Sequence, residues 1–80
     1  MDKMKQTLFI KCILAEDSLK TSIALYGEGL ETYLKRENYE SLLDLVEDAG
    51  WYEEYRSFKI MAALYYAQQQ QDVKRLANTA

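Results

Sequence analysis

Proline is absent from this chain of 80 residues and glycine stands only at positions 27, 29 and 50, so the punctuation that β-hairpins need is missing. Helices are the expectation. Apolar residues make up 49% of the chain and charged residues 29%, the balance of a chain with a core rather than of a disordered one. At this length one apolar core supplies only about 3 to 5 kcal/mol of net stability, and a partner or a second copy would add to it. The composition and spacing predict a single all-α domain over 1–80: four to five short helices in antiparallel hairpins, or a small α-helical bundle.

The net charge of −3 gives no general attraction to nucleic acid or to an anionic membrane, since both need a basic face. The apolar stretches Leu8 to Ile10 and Cys12 to Ala15 are split by Lys11 and fall far short of the roughly 20 residues that cross a bilayer. Basic residues precede that run, but Glu16 and Asp17 follow it where a signal peptide needs small neutral residues. Cys12 has no partner for a disulfide within the chain. A reducing, cytoplasmic setting and an inert buried thiol are therefore expected.

The apolar periodicity divides the chain further. A first helix is expected from Lys3 to Ala15, capped by Asp2 and apolar over most of its circumference, so that it needs cover on more than one side. A second, capped by Asp17 or Ser18, carries Leu19, Ile23, Tyr26, Leu30, Tyr33 and Leu34 on one face. Gly27 and Gly29 sit inside that pattern, each costing roughly 1 kcal/mol relative to alanine, which predicts either close approach of another backbone or a local bend. Gly-Glu-Gly has no preceding strand and no further glycine, and so lacks the context of a phosphate loop. A third helix is expected from Asn38, ended by Gly50. Its face formed by Glu37, Glu40, Asp44, Glu47 and Asp48 is a solvated acidic side, with contact to a basic partner as the functional alternative. From Trp51 a fourth helix is expected to run to about Gln69, with Gln68 to Gln71 as a polar joint before a last short helix capped by Asp72 and carrying Val73, Leu76 and Ala77. One continuous helix from Tyr52 to Asn78 is the alternative.

Registered on Tyr39, the segment from Tyr26 to Ala49 resembles the tetratricopeptide repeat, whose helical hairpins of 34 residues interlock large, small and aromatic side chains. Tyr26, Tyr33, Tyr39, Val46 and Ala49 fall where that pattern wants them. Gly29 and Leu30 stand in reversed order, Leu42 replaces a small residue, and the following unit keeps only Leu64 and Ala67, without the proline or the next glycine. The resemblance implies an N-terminal apolar helix over 1–16, a hairpin over 18–50 with its turn near Arg36 to Asn38, and a partial second hairpin over 51–80. In proteins of this kind the first helix of each hairpin lines a concave groove. That carries over here to partner-binding positions Glu31, Leu34 and Lys35, then Phe58, Met61, Tyr65 and Gln69.

The expected function is that of a small protein–protein interaction module, an adaptor or chaperone that takes a partner polypeptide or its own copy in an apolar groove. Small cytosolic chaperones of secretion-apparatus subunits look like this in size, acidity and helical build. Seven tyrosines, one tryptophan and two phenylalanines are many for short helices, and tyrosine is enriched where protein surfaces meet. The alternative is a DNA-linked regulator with a helix-turn-helix at Arg36 to Asn38, although the acidic helix that follows would be repelled by phosphates. An enzyme is not expected. Without histidine, acid–base work at neutral pH needs a strongly shifted group, and Cys12 has no candidate base beside it. No cofactor, metal, nucleic acid, membrane or small-molecule substrate is expected either.

Overall fold

The computed structural model describes residues 2–79, with side-chain surroundings for 2–71. Among them lie three helices and no strand: α1 (Lys3–Tyr26), α2 (Leu30–Asp48) and α3 (Tyr52–Thr79). The chain is all-α, as the missing breakers predict, but three long helices replace the four to five short ones.

Helix α1 begins where Asp2 accepts a hydrogen bond from the Met4 backbone N–H at 3.1 Å. It does not stop at Ala15. Phe9, Cys12, Ala15 and Ser22 are buried along one stripe, which continues past Glu16, Asp17 and Ser18 against α2. A serine or aspartate caps a helix only where the chain leaves it, and continued burial keeps these residues inside.

The real break falls at Gly27, whose φ of +70° is costly for any residue with a Cβ. Its N–H donates to the Ile23 carbonyl at 2.9 Å, closing α1. Gly29 is extended and leads into α2. A Cβ built at either glycine meets nothing within 4 Å. The glycines therefore serve backbone conformation at a turn, and the expected close approach of another helix is absent. Buried Thr32 secures this turn. Its hydroxyl donates to the Gly27 carbonyl at 2.7 Å and lies 2.7 Å from Ser22 Oγ. Because a hydroxyl has a single proton, Ser22 must be the donor in the second bond.

Helix α2 runs unbroken through Arg36, Glu37 and Asn38. The turn that both the helix-turn-helix and the repeat register require is missing, and Asn38 is an exposed mid-helix residue rather than a cap. Gly50 does end α2. At φ +75° its N–H donates to the Glu47 carbonyl and that of Trp51 to the Val46 carbonyl, each at 3.0 Å, the paired bonds of a left-handed helix terminus. Helix α3 then continues through Gln68 to Gln71 without a joint. What Val73, Leu76 and Ala77 pack against lies outside the described residues.

Helices α1 and α2 form an antiparallel hairpin, and α3 crosses its open end with few contacts to either. Phe9 is the hub. Fully buried, it packs with Cys12, Val46 and Tyr55, with ring centroids 5.5 Å from both Tyr55 and Phe58 and 6.4 Å from Trp51. Two ion pairs brace α3 on α1, Lys5–Glu54 and Lys59–Glu16, both at 2.8 Å. The radius of gyration is 15.6 Å, against about 12 Å for a compact domain of this length. Ala62 is the last described residue of α3 to be partly covered, and the helix continues for about 25 Å beyond it. No helix among the described residues is long and apolar enough to cross a membrane.

Candidate interaction surface

Ile60 to Ala67 is a run of eight consecutive apolar residues, followed by four glutamines. On a helix, eight residues make two full turns, so this segment is apolar all the way round. Such a segment is ordinarily buried. Here Ile60, Met61, Leu64, Tyr65 and Tyr66 are 60 to 67% exposed, because α3 leaves the hairpin just as the belt begins. The inner side, Ala62 and Tyr66, faces a cleft against α1. The outer side, Ile60, Met61, Leu64 and Tyr65, is largely uncovered among the described residues.

The cleft has a volume of about 500 Å³ and is lined by Ile13, Glu16, Asp17, Lys20, Lys59, Ala62, Ala63 and Tyr66. Its closed end is held by Glu16, which pairs with Lys59 at 2.8 Å and Lys20 at 3.1 Å and accepts a longer hydrogen bond from Tyr39 Oη at 3.4 Å. Burial acts to raise the Glu16 carboxyl, but hydrogen bonds and charge from the two lysines outweigh it and hold the group below its ordinary value. Burial raises both the Cys12 thiol and the Tyr39 hydroxyl, with the Glu16 charge adding to it. Tyr55 is raised further still, chiefly by burial. Cys12 is fully buried and its thiol is shifted toward the neutral form, which disfavours the reactive thiolate.

The residues expected to line a groove divide between two regions. Glu31, Leu34 and Lys35 lie in the first two turns of α2 beside the interhelical turn, Glu31 and Leu34 exposed and Lys35 half-covered and paired with Glu31 at 3.3 Å. Met61, Tyr65 and Gln69 are exposed on α3. The first group lies on α2 and the second on α3, and among the described residues no hydrogen bond or ion pair joins them. Phe58 is half-buried and stacked on the Phe9 hub, where it anchors α3. Ile60, Leu64 and Tyr66, exposed beside Met61 and Tyr65, are not among the residues that the resemblance supplies. The uninterrupted run from Ile60 to Ala67 is the signal that carries them, since such a run leaves no polar side for solvent.

The acidic face of α2 stands as expected, with Glu37, Glu40, Asp44, Glu47 and Asp48 all exposed. Comparison with protein-family models, curated proteins and solved structures gives no match.

Proposed function

We propose that this chain is a protein–protein interaction module, an adaptor or chaperone that engages a polypeptide through the apolar belt of α3. The observation that supports it most is the exposure of five large apolar side chains on two helical turns with no polar side. Met61, Leu64 and Tyr65 follow the i, i+3, i+4 spacing by which helices pack into grooves or against one another, and tyrosine and methionine suit adaptable contact surfaces. A buried free thiol suits a reducing, cytoplasmic setting.

The test compares the wild type with Leu64→Glu in hydrophobic-dye binding and in affinity capture from the native host followed by mass spectrometry. Leu64 is outside the core, so the variant should keep its helicity while losing both dye fluorescence and the captured species. A wild type that binds no dye, captures nothing that the variant does not, and forms no oligomer would overturn the proposal.

A further inference from the structure

The accessible surface of the chain is 6310 Å², whereas a compact monomer of 9.4 kDa exposes about 5000 Å². The excess of about 1300 Å² is spread over the extended shape of the whole chain. Part of it belongs to the belt, and what would cover the belt has an uncommon property: residues 60–71 carry no charge. A foreign partner is ordinarily selected by complementary charges around an apolar centre, and along these twelve residues there are none to read. A second copy needs none, because an identical belt meets it with matching apolar area and no like-charge contact.

Resting on the interaction reading above, we infer that the occupant of the belt is a second copy of this chain, with the two α3 helices packed antiparallel about a twofold axis near Ala63 and Leu64. An isologous contact of this kind is self-complementary and closes at two copies. Direction follows from the charges that flank the belt. On its N-terminal side residues 1–59 carry twelve Asp and Glu against eight Lys and Arg, with Glu53 and Glu54 themselves paired with Arg56 and Lys5, and a parallel pair would set two such acidic bodies side by side, which is unfavourable. Antiparallel packing moves them to opposite ends and puts Ser57 opposite the uncharged glutamine run.

Sedimentation equilibrium of the full chain from about 1 to 100 μM, a range that brackets typical small dimers, reads the state directly. The expected mass is twice 9.4 kDa at the upper end. Leu64→Glu and Met61→Glu each appear twice in a symmetric dimer and should weaken it by about a hundredfold or more. Under mild oxidation Leu64→Cys should crosslink rapidly and Ser57→Cys should not, with Cys12 silent in the core. A wild type that stays monomeric at about 100 μM, or a dimer indifferent to both glutamates, overturns the inference. Equal crosslinking at 57 and 64 overturns the antiparallel geometry. A monomer that still binds hydrophobic dye, with Leu64→Glu abolishing the signal, sinks the second copy and leaves the interaction module standing; a monomer that binds no dye sinks both.

Discussion

Tyr55 sits in the core with its Oη buried and without a hydrogen-bond partner among the described residues. A buried hydroxyl without a partner costs about 1 to 3 kcal/mol relative to leaving it in water. Tyr55→Phe keeps the ring that meets Phe9 and removes that cost, so chemical denaturation should show the variant stabilised by about 1 kcal/mol. Loss of stability would mean that the hydroxyl is satisfied after all. Glu16 makes the opposite case, a charged group that the fold favours. Its carboxyl is held below its ordinary value of 4.5, so the folded state binds its proton less readily than the unfolded chain. The stability it contributes is present in full above that ordinary value and is lost as pH falls through the lower folded one. With one lysine partner largely exposed, about 1 kcal/mol is the scale. Thermal melts from pH 7 down to about 3 should therefore fall less steeply for Glu16→Gln than for the wild type, and parallel curves would refute the role. None of this was legible in the sequence, because the pairing of Glu16 with Lys59 and Tyr39 depends on how three helices cross.

At the level of elements, helix type was written in the residue pattern and helix boundaries were only half so. Gly50 and Trp51 were readable because one glycine stands directly between two apolar periodicities. Asp17 and Ser18 misled because a good cap residue and a mid-helix residue look alike until burial shows that Ala15 and Ser22 share a stripe. Gly27 and Gly29 were read as a cost inside a helix, when in fact Gly27 makes the turn. Gly27→Ala forces a Cβ into a backbone conformation, φ +70° and ψ −153°, that is essentially reserved for glycine, in open space, so strain and not crowding decides its effect. The expected loss is about 1 to 3 kcal/mol, seen as a shift of the denaturation midpoint with unchanged slope. Gly29→Ala, at an extended backbone angle with nothing within 4 Å, should cost far less. Equal losses at the two sites would place the strain elsewhere. The candidate surface was legible in the same partial way. Met61, Tyr65 and Gln69 entered only through the resemblance to the repeat and stand exposed on α3, whereas Phe58, carried over with them on the same face, packs on the hub because it lies before the point where α3 leaves α1.

For the whole molecule, the α1–α2 hairpin and the first turns of α3 share one aromatic core, while the described part of α3 beyond Ala62 has almost no packing of its own. Most helical stability in proteins comes from tertiary packing, so in a lone chain this sparsely packed stretch should open locally at little free-energy cost. Amide hydrogen exchange follows that directly. In dilute solution protection should be high around Phe9, Val46 and Tyr55 and should fall steeply past Ala62. If a second copy covers the belt, protection between residues 60 and 71 should rise with protein concentration while the core amides change little, because binding to the folded state stabilises by mass action the segment it covers. The melting temperature should climb over the same range. Leu64→Glu should hold the exchange pattern at its dilute form at every concentration. Protection of the belt equal to that of the core at the lowest concentration would show that α3 is supported within a single chain, and its apolar belt would then need no partner to remain ordered.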